Sequence, residues 1–259
     1  MRSARFLLLL VILTAMLPAV AWAAAGDPGT GLLSTSHDFS GKSVTGGQGQ
    51  TLTTGLCTFC HTPHRAMSTL LLWNHTLSTA TYSWDVPKTT AGTTFPTFKG
   101  DTYNGPTAKC LSCHDGSVAV GDVAWFGGNK PPSPLDTTMH TWPDPFNVGA
   151  TGGVVGQMKG NHPVAMPYPY QQTQNTYNSV TTGGSFTPTE WQATPLTPVR
   201  VFNDDGSGNI TAGAVTGKTG IECSSCHDPH NKASVDDFFL RGMLGGSDTN
   251  YICLKCHIK

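Results

Sequence analysis

Apolar residues along this chain of 259 are gathered at its start. Arg2 and Arg5 lead into an apolar run from Phe6 to Leu17, and Ala21-Trp22-Ala23 follows as a small-x-small site. That order predicts a secretory signal peptide over residues 1–23, because the run is too short to span a bilayer. No cysteine follows the run to take a lipid, so no lipid anchor is expected. Beyond it the 3.6-residue period of an amphipathic helix is scarce. "TPVRVFNDDGSGNITAGAVTG" at 197–217 places two short apolar-polar alternations around a polar turn and predicts a β-hairpin. "SVDDFFLRGM" at 234–243 predicts one short helix, and further helical turns are expected only around the cysteine pairs. The expected fold is mostly irregular and loop-rich, with few short helices and a small β-hairpin.

Composition sharpens this picture. The chain has 30 Gly and 18 Pro, and only 12% of it is charged. A polypeptide so rich in loops has difficulty burying enough apolar surface to offset its own conformational entropy, so something besides side chains must build the interior. Without Arg2 and Arg5 the 15 basic residues become 13 against 16 acidic ones, a formal charge of −3. There is no basic stripe, which excludes nucleic acid as a partner. No later segment is apolar enough to anchor the mature chain in a membrane.

The eight cysteines supply the missing element. They fall as Cys57/Cys60, Cys110/Cys113, Cys223/Cys226 and Cys253/Cys256, and His61, His114, His227 and His257 follow at once. A disulfide scaffold has no reason to repeat that histidine after every pair. Zinc would need two pairs around one ion, and a thioredoxin-like site would need one pair in a βαβ unit. Cys-x-x-Cys-His is the attachment signature of c-type haem. The two thiols become thioethers to the porphyrin, and the histidine binds the iron from beneath. Four covalently attached haems c are therefore expected, and their apolar faces would organise the fold.

Six histidines remain for four distal positions: His37, His64, His75, His140, His162 and His230. Their order reveals a duplication. "STSHDFS", "CTFCHTPH" and "CLSCH" in about 24–125 are echoed by "GNHPV", "CSSCHDPH" and "CLKCH" in about 126–259. The mature domain, 24–259, thus reads as two haem-pair halves. By this reading His64 reaches from the first motif to the neighbouring second haem, and His230 from the third to the fourth. His162 would cap the third haem. For the first haem His37 and His75 both stand as candidates, and His140 has no counterpart in the repeat. Imidazole on both faces leaves no open iron, which favours electron transfer over enzymatic catalysis. In the hairpin, Asn203, Asp205, Ser207 and Ile210 also resemble a calcium loop, but Ala214 stands where its final acid is expected.

"CHTPH", "CHDPH", "WNHTLS", "CLSCHDGSVAVGD" and "GNHPV" resemble segments of the multihaem c-type cytochromes of dissimilatory metal-reducing bacteria. With four haems, an unlipidated signal peptide and a Gly/Thr-rich, loop-dominated chain, the protein resembles the OmcE-type tetrahaem family. The resemblance implies identical subunits polymerised into an extracellular filament, a cytochrome nanowire, with one distal histidine donated across the subunit boundary. It implies His37 as that donor. The redox partners it implies are other multihaem cytochromes or mineral oxides at the cell surface. A discrete periplasmic shuttle is the alternative, and a multihaem reductase a third reading.

Overall fold

The computed structural model describes residues 23–41, 43–45, 51–53, 55–64, 66, 70–83, 103, 105–117, 123, 154–182, 187–246 and 248–258. Residues 1–22 of the expected signal peptide (1–23) and His140 lie outside the described residues. Regular structure is sparse among those described. There are eight strands of two or three residues and two α-helices, with the rest in turns and single 3-10 turns.

The arm opens into a small antiparallel pair, β1 (Ser43–Thr45) with β2 (Thr51–Thr53). The main sheet has four strands, β3 (Met166–Pro167), β8 (Thr219–Ile221), β6 (Phe202–Asp204) and β7 (Ile210–Ala212), antiparallel and in that order. A separate pair joins β4 (Thr176–Tyr177) and β5 (Val180–Thr181). Strands β6 and β7 form a hairpin within the stretch read as one, with Phe202 opposite Ala212 and Asp204 opposite Ile210. Its turn is closed by Asp205, whose Oδ1 accepts the Ser207 N–H at 2.7 Å and whose Oδ2 accepts the Asn209 amide at 2.8 Å. Those bonds, that from Asn209 foremost, lower the Asp205 pKa to about 2. The Asn203 amide donates to the carbonyls of Thr211 and Gly213, so these polar groups serve the turn itself.

Helix α1 (Pro106–His114) starts with proline in its first turn, where the missing N–H costs nothing, and contains the second Cys-x-x-Cys-His. Helix α2 (Cys223–Cys226) is a single turn made of the third motif and packs against α1. The fourth motif closes in a 3-10 turn, Ile252–Lys255. No helix forms at Ser234–Met243. Phe238 and Phe239 there have φ of 56° and 61°, a left-handed backbone that ends a right-handed helix.

The core lies between α1 and the sheet: Tyr82, Tyr103, Leu111, Met158, Tyr177 and Phe202 share one buried cluster. Met166, Tyr168, Trp191 and Ile221 form another, against which Cys256 packs. Strand β8 is buried along its whole length and runs directly into Glu222 and Cys223, which fixes the third motif to the sheet. The Tyr177 ring packs on Gly220, where an added Cβ would collide with that ring.

Candidate haem-binding site

None of the eight cysteines is joined in a disulfide. In three motifs the histidine N–H donates to the carbonyl of the first cysteine: His61 to Cys57 at 2.9 Å, His227 to Cys223 at 3.0 Å, His257 to Cys253 at 2.9 Å. One turn thus carries two thiols and an imidazole, the local geometry that the spacing implies. In the second motif that turn is the end of α1, which carries Cys110, Cys113 and His114 together. Cys113 is half-buried there, its Sγ 3.9 Å from Ser112 Oγ. Burial raises the thiol pKa of Cys60 and of Cys226 to about 11, and of Cys256 to about 12. The Cys110 and Cys223 thiols lie within hydrogen-bonding reach of each other, a contact that raises the first and lowers the second.

The first and third motifs are the same structure twice. His61 Nδ1 lies 2.6 Å from the Leu71 carbonyl, and His227 Nδ1 2.7 Å from that of Phe238. Thr62 N–H donates to Leu72 O and Asp228 N–H to Phe239 O. Asn74 N–H donates to Cys60 O, and Arg241 N–H to Cys226 O. Side chains follow suit: the Asn74 amide donates to Thr58 O at 2.9 Å, the Arg241 Nε to Ser224 O at 3.3 Å. Leu71 and Leu72 share the left-handed backbone of Phe238 and Phe239, with φ of 63° and 51°. For branched or bulky residues that conformation costs roughly 1–2 kcal/mol each. What the strain achieves is visible: it turns a carbonyl onto each motif histidine.

A carbonyl can only accept, so the proton of His61 and His227 sits on Nδ1, and Nε2 keeps its lone pair for a metal. His162 has the same arrangement, Nδ1 lying 2.8 Å from the Pro163 carbonyl, and His37 a longer one, 3.4 Å from Pro229 O.

The histidines assemble in pairs. His61 and His230 have ring centroids 6.2 Å apart, His37 and His114 6.0 Å, and His162 and His257 6.3 Å. Each pair joins one Cys-x-x-Cys-His imidazole to one from elsewhere in the chain. Two imidazoles with metal–nitrogen bonds of about 2 Å to one ion between them have centroids about 6 Å apart. The donor set and its spacing therefore fit haem iron, which these paired imidazoles would hold. Leu71, Leu72 and Phe238 are exposed beside the motif histidines and offer apolar surface to a porphyrin.

These pairs differ from the expected local transfer. His230 stands opposite His61, in the other half, whereas His257 faces His162. His37 is seated within its own chain. Its ring lies 4.7 Å from that of Phe239, and burial first, then the charge of His114, lowers its pKa to about 4. The arm carrying it is clamped by Asn231, whose amide donates to Asp27 O at 2.7 Å and Gly31 O at 3.0 Å. His75 is fully buried against Phe59 and Trp73, with ring centroids 5.0 and 5.5 Å away. His64 is exposed. Among the described residues no imidazole is paired with His227 in the manner of the other three.

Several supporting residues carried no sequence signal. Glu222 is fully buried beside Cys223, and its carboxylate accepts from the Tyr103, Tyr177 and Thr107 hydroxyls and, at 3.0 Å, from the Thr107 N–H. Burial raises its pKa, and the bonds from these hydroxyls oppose that shift. Thr107 Oγ1 in turn accepts the Cys223 N–H at 3.1 Å, tying α1 to α2. Trp73 Nε1 donates to Ser112 Oγ at 3.1 Å and links the first motif to the second, one residue before Cys113. Trp191 covers His257 with centroids 4.3 Å apart.

Residues 215–259, which hold the third and fourth motifs, match the doubled CXXCH motif family. No curated protein matches the chain. With two more motifs of the same form upstream, the match supports a multihaem c-type cytochrome, an exported class of protein that works in electron transfer. No helix among the described residues is long and apolar enough to cross a membrane.

Proposed function

We propose that this cytochrome holds four haems, each between two imidazoles, and passes electrons from one to the next. The observation that carries this reading is the set of three imidazole pairs at 6.0–6.3 Å, each with one member from a Cys-x-x-Cys-His motif. Bound haem supplies an iron that gains and loses one electron. The chain's part is to hold that iron on both faces, so that no coordination position is left for a substrate.

In this reading His230 caps the first haem, His37 the second and His162 the fourth. The third is closed by His64. If His230 of the third motif crosses to the first, the matching crossing in the repeated structure carries His64 to the third. The first and third haems then exchange distal ligands between the two halves. Thiols of the second and third motifs, and of the third and fourth, influence one another, so the third motif sits among the others. His64→Ala tests the assignment: one haem should become high spin and bind carbon monoxide when reduced. A variant that stays wholly low spin overturns it.

Polymerisation into an extracellular filament follows from the resemblance to OmcE-type cytochromes, with like subunits and mineral oxides or other cytochromes as partners. The seat of His37 in its own chain favours a second reading, a self-contained shuttle. Negative-stain microscopy of secreted protein separates them: filaments support the first, single particles at every concentration the second.

A further inference from the structure

The ligand exchange proposed above depends on His230 being held away from its own motif, and the loop that holds it contains an unusual pair of charges. Asp228 and Arg241 form an ion pair, Arg241 Nη2 to Asp228 Oδ1 at 3.3 Å, with side chains only 5% and 2% exposed. At the matching places the first motif has Thr62 and Asn74, both neutral. Burying two charges is unfavourable unless their geometry is well satisfied, and such pairs are retained where they fix a conformation.

The conformation fixed here is that of residues 228–233. Asp228 accepts from the N–H groups of His230 at 3.3 Å, Lys232 at 3.0 Å and Ala233. Its own carbonyl accepts the Asn231 N–H at 2.8 Å. Arg241 holds this carboxylate from behind while its Nε donates to the carbonyls of Ser224 and His227, both at 3.3 Å. The loop so shaped does two things. It presents His230 to His61, and through Asn231 it clamps the arm that carries His37. Asn231 Oδ1 accepts the Gly29 N–H at 3.2 Å, its carbonyl accepts the Gly31 N–H at 3.0 Å, and the Pro229 carbonyl faces His37 Nδ1.

We propose that the Asp228–Arg241 pair is a positioning device that holds two distal ligands at once, His230 for the first haem and His37 for the second. It rests on the assignment of those ligands above. Neither charge touches iron or porphyrin in this role; both act through the loop.

The test counts high-spin haems in oxidised, fully matured protein by electron paramagnetic resonance, before and after adding free imidazole. His230→Ala and His37→Ala serve as references, and each should open one haem that imidazole closes again. Asp228→Asn and Arg241→Gln should each open a fraction of two haems, also closed by imidazole, with four haems still attached. Asn231→Ala should open only the haem opened by His37→Ala. If the charge variants fail to mature, the double variant D228T/R241N, which imports the neutral pair of the first half, reads the same signal. Charge variants that remain fully low spin while both references open a haem overturn the positioning role. References that open no haem instead overturn the ligand assignment.

Discussion

Glu222 is the point where the sheet, the core and two haem motifs meet, and its removal gives a sharp quantitative test. Glu222→Ala strips the acceptor from four donors, three hydroxyls and one N–H, around a residue with no exposed surface. Each buried donor left without a partner costs about 1–3 kcal/mol. The hydroxyls can turn toward other acceptors, so the lower end applies, and the sum is about 4 kcal/mol. For a chain of this size 1 kcal/mol moves the melting temperature by roughly 2–4 °C, which gives a fall of roughly 8–16 °C. Glu222→Gln keeps one oxygen for Thr107 and Tyr103 and forces only Tyr177 to turn, for about 1–2 kcal/mol. Thermal unfolding of mature protein, followed by circular dichroism in the haem band, reads both. The ordering wild type, Gln, Ala is expected. An alanine variant melting within about 2 °C of wild type would refute the argument that these donors depend on the carboxylate.

The distal assignments predict that His230→Met alters the spectrum of the haem on Cys57 and Cys60 and leaves that on Cys253 and Cys256 unchanged; a change confined to the latter restores the local-transfer scheme. The folded pKa of His37, about 4, lies below its ordinary 6.5. The unfolded chain therefore binds more protons between those values, so stability rises with pH across that window and is lost on acidification through it. Urea unfolding midpoints measured across pH 4–6.5 should rise with pH, and His37→Phe should flatten that dependence; an unchanged slope would refute it. Trp191→Ala removes a ring buried between His257 and Tyr168, so it should cost about 3–5 kcal/mol and broaden the signals of the fourth haem alone. Unchanged melting and unchanged fourth-haem signals would refute that role.

The turns that carry the Cys-x-x-Cys-His motifs were legible in the sequence because their spacing is strictly local: two thiols and an imidazole on one turn. The hairpin at Phe202–Ala212 was legible for a similar reason, a polar turn between two short alternations. Which imidazoles face one another was not. Sequence proximity pointed His230 to the next motif along the chain, whereas the ring it faces belongs to His61, from the other half. The expected helix at Ser234–Met243 failed because the third motif needs a carbonyl on His227 Nδ1. Left-handed Phe238 and Phe239 supply it against their own propensity. Leu71 and Leu72 do the same for His61, yet "LLWN" at 71–74 and "FFLR" at 238–241 share no residue in register, so the repeat there is one of backbone and not of side chains. Glu222 and Arg241 gave no signal at all, because a buried charge is recognised only by what surrounds it.

Near-infrared magnetic circular dichroism of the oxidised, mature protein, scaled to its haem iron, tests the central claim most directly. Four low-spin irons per chain, all with the charge-transfer band of paired imidazoles, are the result expected. A band from methionine ligation, a high-spin iron in the untreated protein, or fewer than four haems per chain would contradict it.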